Sequence, residues 1–138
     1  MLTFFLLGVY GLSFGQNHQL CKIKDMGEYT IDGQSYILTF EEKPQVSMYM
    51  VFFSGFDYRL HFCSKQIKAF QIRIYDIEKK LLISEFCKNH EMSLDFRFES
   101  NLAAIVEISQ QVENETQMTL GEIWLTVGFK ENKVLQFK

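Results

Sequence analysis

Beyond residue 28 the alternation of apolar and polar residues recurs with a period of two, the spacing of a strand with one buried face. The run "YILTFEE" (Tyr36–Glu42) predicts a strand ended by "KPQ". "VSMYMVFF" (Val46–Phe53) is apolar on both faces, which predicts a central strand covered on both sides or one at a subunit contact. After the turn "SGFD", "YRLHFC" (Tyr58–Cys63) sets Tyr58, Leu60 and Phe62 on one face. "FQIRIYD" (Phe70–Asp76) sets Phe70, Ile72 and Ile74 inward, and the charged link "IEKK" leads to "LLISEFC" (Leu81–Cys87), so the two runs predict a hairpin. "MSLDFRFES" offers Leu94, Phe96 and Phe98 as an inner set, and "AAIVEIS" (Ala103–Ser109) offers Ala104, Val106 and Ile108. The polar loop "QQVENETQMT" follows, and "GEIWLTVGFK" (Gly121–Lys130) closes with Ile123, Leu125, Val127 and Phe129 in step.

About eight short strands, each with one face to hide, predict an all-β fold: an antiparallel β-sandwich, jelly-roll-like, in a single domain. A closed barrel fits less well because the strands are short and unequal. Composition agrees with a packed core: of 138 residues 47% are hydrophobic and 15% aromatic, with fourteen Phe and one Pro. The net charge of −3 supplies no basic field for a phosphate backbone, which sets nucleic-acid binding aside.

The N-terminus changes the picture of where this domain works. "MLTFFLLGVYGLSFG" reads as a secretory signal over residues 1–15, with Leu2–Leu12 as its apolar core and Ser13 and Gly15 before a cut at Gln16. No basic residue precedes that run, and a buried first strand is the other reading. "HQL" before Cys21 lacks the small residues of a lipoprotein box. Residues 16–138 then form the mature domain, without an apolar run long enough to span a bilayer, secreted, periplasmic or at the cell surface.

With the strands placed, "YMVFFSGFDYRLHF", "FQIRIYDIEKKLL" and "LDFRFESNLAAIVEIS" resemble the strand order of bacterial pre-peptidase C-terminal-type jelly-roll modules. The closing "GEIWLTVGFK" is similar to the end of small uncharacterised secreted β-sandwich proteins of Bacteroidota. The resemblance spans about Tyr49–Lys130 and rests on patterning. It implies a secreted accessory or stand-alone β-sandwich and brings no active-site residues with it.

Three Cys and three His are the scarce chemistry, and no CxxC, HxH or HExxH occurs. His61 and Cys63 share a strand face, so a metal set of His61, Cys63, Cys87 and His90, or a Cys–His nucleophile, is arithmetically open. An exported protein favours a disulfide instead. Cys63 and Cys87 end two strands at one edge of the sandwich, and a bond between them closes about 25 residues and stabilises by roughly 3 kcal/mol. A bond involving Cys21 is the alternative; otherwise Cys21 is left over.

Asp57, Asp76 and Asp95 fall at turns or exposed faces, where solvated residues are the plain reading and calcium the sharper one. A carboxylate pair under about 9 Å apart in a cleft would make the chain a small hydrolase. Tyr49, Phe53, Tyr75 and Trp124 lie opposite the inner sets. They fill a second core layer, shield an edge, or face a glycan or protein partner. "NET" (Asn114–Thr116) matches a glycosylation acceptor, which the bacterial resemblance argues against. The sequence reading is a non-enzymatic binding or structural module with no cofactor. A glycan-binding module and a small secreted hydrolase are its alternatives.

Overall fold

The computed structural model describes Cys21, residues 26–33 and residues 35–132. The expected signal, residues 1–15, lies outside them. Among the described residues nine strands are present: β1 (Thr30–Ile31), β2 (Tyr36–Phe40), β3 (Gln45–Phe52), β4 (Phe56–Cys63), β5 (Phe70–Asp76), β6 (Leu81–Cys87), β7 (Glu91–Phe96), β8 (Leu102–Ser109) and β9 (Gly121–Glu131). A 3-10 turn, Glu115–Gln117, interrupts the polar loop before β9. No helix among the described residues is long and apolar enough to cross a membrane.

The pairing follows a simple rule. β5 pairs with β6, β4 with β7, β3 with β8 and β2 with β9, all antiparallel, as in one long hairpin of four strand pairs. Rolling that hairpin over itself adds the contacts β4–β9 and β5–β8. Two sheets result: sheet A in the order β1/β2–β9–β4–β7, and sheet B in the order β3–β8–β5–β6. This is jelly-roll topology, and it buries the apolar face of each sheet against the other.

The period-two pattern carried most of this. Leu60, Phe62, Phe70, Ile72, Ile74, Ala104, Val106, Ile108, Ile123 and Leu125 are fully buried in one core. Phe96, Phe98 and Phe129 pack against its rim, with Phe96 edge-on to Phe52 at 5.0 Å. The β5–β6 hairpin turns over Asp76, whose carboxylate accepts from the Glu78 and Lys80 N–H groups at 2.9 Å. Lys79 takes a positive φ of 69° there. The two-residue β1 carries no periodicity and went unanticipated.

The reading of Val46–Phe53 needs correction in one respect. β3 is an edge strand of sheet B and not a central one, with Val46, Met48, Met50 and Phe52 turned inward. Tyr49, Val51 and Phe53 are exposed on its other side. Two apolar faces on one strand do not distinguish cover by a third layer from an open edge, because only pairing decides which strand ends the sheet.

Candidate functional site

The outer faces of the two sheets differ in chemistry. On sheet A the outward side chains of β4, β7 and β9 are mostly polar, and residues 26–29 lie across them. Met26 is buried against Gly128, and the Tyr29 ring sits 4.4 Å from the Arg59 guanidinium and 4.7 Å from the Lys130 ammonium. Arg59 grips Asp95 with two bonds of 2.7 Å, and Arg97 Nε lies 2.9 Å from Asp57. The Arg59 hydrogen bonds hold the Asp95 carboxyl below its ordinary range.

The disulfide belongs to this face. Cys63 is bonded to Cys21, not to Cys87, with the Cα atoms 5.5 Å apart. Cys87 is a free, buried thiol. The expected Cys63–Cys87 bond fails because the two residues occupy different layers. Cys63 points outward from sheet A with Arg59 and His61, whereas Cys87 pairs with Phe70 on the inner side of sheet B. Glu85 misled the sequence reading: it shares the parity of Cys87, and reaches solvent only because β6 is an edge strand. Burial pushes the Cys87 thiol up, the direction of an inert core cysteine.

The oxidised Cys63 cannot serve as a thiolate nucleophile, so the Cys–His alternative fails at that position. His90 spends its Nδ1 on the Ser64 carbonyl, to which it donates at 2.9 Å. Among the described residues, no three His, Cys, Asp or Glu side chains converge enough to hold a metal ion.

His61 has partners that the sequence did not suggest. Its Nδ1 shares a hydrogen bond of 2.9 Å with Ser93 Oγ, and its Nε2 lies 3.2 Å from Glu91 Oε2. His61 and Ser93 face each other across the β4–β7 ladder, with Glu91 two residues along β7. A recess of about 280 Å³ opens beside them, lined by Arg59, Met92 and Thr126 among others. The connectivity is that of a nucleophile, a base and an acid. Acyl transfer also needs converging N–H donors for an oxyanion, and successive N–H groups of a flat strand point in opposite directions. The strand register, invisible in one dimension, is what joins these three.

The outer face of sheet B is bare by comparison. Strand register aligns Tyr49 with Ile105, Ile105 with Tyr75, and Tyr75 with Leu81, giving one row straight across all four strands. Tyr49 is 78% exposed and Leu81 48% exposed. The next row is polar: Ser47, Glu107, Arg73 and Ser84. Arg73 lies 3.8 Å from Glu107, and Gln71 donates to Ser84 at 2.7 Å.

Of the expected ligand-facing aromatics, Tyr49 and Tyr75 therefore share a row on sheet B. Trp124 lies on the opposite side of the molecule, on the outer face of sheet A beside Cys63 and Ile37. It is half-buried, with its indole N–H donating to Glu122 at 2.9 Å. The three rings cannot form one platform. The aspartates do not form one set: Asp57 and Asp95 line a common recess with Tyr29, Phe96 and Arg97, each held in an ion pair, and Asp76 stands apart in its turn.

No family model and no curated protein matches the chain. Among solved structures, the CBM36-1 domain of a multidomain xylanase from the hindgut metagenome of Trinervitermes trinervoides is similar at a TM-score of 0.37. Identity is 16%, over 72% of this chain and 90% of that one.

Proposed function

We propose that this protein is an exported, non-catalytic binding module whose ligand face is the outer surface of sheet B, and that the ligand is a glycan. The observation that carries this reading is the row Tyr49–Ile105–Tyr75–Leu81 beside the row Ser47–Glu107–Arg73–Ser84. Sugars present an apolar ring face flanked by hydroxyls, and an aromatic row next to a polar row complements both. Tyr49 and Tyr75 stand two strands apart, about 10 Å at ordinary strand spacing, enough for successive contacts along an extended chain. The disulfide suits an oxidising compartment outside the cytoplasm.

Affinity electrophoresis in gels containing soluble xylan, β-glucan or mannan tests the reading. Migration slowed by at least one polysaccharide, and restored by Tyr49→Ala and by Tyr75→Ala but not by Trp124→Ala, is the expected result. Uniform migration in every gel overturns the glycan ligand. Slowing that depends on Trp124 and ignores both tyrosines moves the site to sheet A.

A further inference from the structure

The free edge of β3 carries an inference that goes beyond the ligand face and does not depend on it. We infer that the protein is a two-fold symmetric dimer in which β3 pairs antiparallel with β3 of a second copy, joining the two B sheets into one eight-stranded sheet.

The backbone shows which groups face that edge. Gln110 N–H donates to the Pro44 carbonyl at 2.8 Å, which makes Pro44 and Gln110 a hydrogen-bonded pair of the β3–β8 ladder. Hydrogen-bonded pairs alternate along an antiparallel ladder, so Val46, Met48, Met50 and Phe52 spend their backbone groups on β8. Gln45, Ser47, Tyr49 and Val51 direct theirs to the open side. Phe53 continues the alternation, and its N–H is taken there by the Tyr58 hydroxyl at 2.8 Å. No strand among the described residues pairs with this side of β3.

An edge of this kind is normally blunted by charge, Pro, a bulge or brevity. β1 and β2 are two and five residues long, and β7 carries Glu91 and Asp95. β6 carries Glu85, and its pairing with β5 shifts register near Tyr75. β3 is eight residues long, with no charge and no Pro. The neighbouring edge of sheet A, joined to it through residues 41–44, exposes Tyr36 and Ile37, and the end of β3 adds Val51 and Phe53. Among the described residues, the exposed large apolar side chains thus fall into a group of five on this side, Tyr49 included, and a group of four elsewhere, Ile77, Leu81, Phe86 and Leu120.

A second copy is favoured over a foreign strand by symmetry and charge. A two-fold axis at Met48 sets Gln45 opposite the partner's Val51 and Ser47 opposite the partner's Tyr49. All four outward residues then exchange both of their backbone hydrogen bonds. Homotypic pairing brings a strand's side chains against copies of themselves, so it tolerates no cluster of one sign. In this register Lys43 falls opposite the partner's Phe53 and Glu42 opposite the partner's Ser54, and no like charges meet.

Charge substitution at the facing pair tests both partner and register, read by light scattering on a sizing column and by sedimentation equilibrium of the mature chain. The wild type is expected at twice the chain mass. Ser47→Lys with Tyr49→Lys places two like charges together twice and should weaken association at least about tenfold. Ser47→Lys with Tyr49→Glu places opposite charges together twice and should keep the dimer. A monomeric wild type at about 100 μM, ten- to a hundredfold above a micromolar Kd, overturns the inference. So does equal association of both double variants, which locates the interface elsewhere, or monomers for both, which overturns this register. Circular dichroism of each variant separates lost pairing from lost folding.

Discussion

Met26 and Gly128 touch as only a glycine permits: a β-carbon on residue 128 would come 2.5 Å from the Met26 sulfur and 3.1 Å from Tyr29 Cβ. This contact seats residues 26–29 on the outer face of sheet A. Gly128→Ala should therefore overpack that seam and cost about 1–3 kcal/mol. The midpoint of thermal unfolding should fall by several degrees, and most of the loss should return in Met26→Ala/Gly128→Ala. Full additivity of the two changes would show that the seam is not what Gly128 serves.

The Cys21–Cys63 bond spans a sequence separation of 42 and ties the N-terminal segment to the end of β4. In the chain-entropy model, a loop of that length stabilises by about 4 kcal/mol. Cys21→Ser and Cys63→Ser should each lower stability by that order, and Cys87→Ala by less. Alkylation followed by mass measurement offers a direct check. The native protein should take no label, the unfolded unreduced protein one, at Cys87, and the reduced protein three.

Asp95 ties stability to pH. Its carboxyl is held below the unfolded value of about 3.9, chiefly by the hydrogen bonds from Arg59. A depressed folded pKa contributes stability that is present above that value and is lost as pH falls through the folded one. Both side chains are partly exposed, so the contribution is below about 1 kcal/mol and weakens with salt. Urea midpoints of wild type and Asp95→Asn should differ at pH near 7 and converge at pH about 2.

Tyr58 fills the core with its ring and holds Phe53 N–H with its hydroxyl. Tyr58→Phe keeps the ring and removes only that acceptor. A loss of about 1 kcal/mol is expected in equilibrium unfolding, with faster hydrogen exchange at the Phe53 amide. Unchanged exchange there would mean that the hydroxyl does not secure the end of β3.

Much of the architecture was legible in one dimension because each strand hides one face at a fixed period. Phe70, Ile72 and Ile74 alternate with Gln71, Arg73 and Tyr75, and that alone determined both the strand and its inner side. The β5–β6 hairpin was equally plain, since Asp76 and the charged link sit between two such runs. Tyr49 and Tyr75 were marked as outward-facing for the same local reason.

What tertiary structure decided was which strands are neighbours and which end a sheet. Parity says that Cys63 and Cys87 each occupy a definite face of their own strands, but not that one lies outside sheet A and the other between the sheets. It cannot join His61 to Ser93 and Glu91, because the β4–β7 register spans some thirty intervening residues. Nor does it separate Trp124 from the two tyrosines, or show that apolar β3 borders open solvent. Periodicity is a local consequence of backbone geometry, whereas pairing is settled by how the whole hairpin rolls to cover both apolar faces at once.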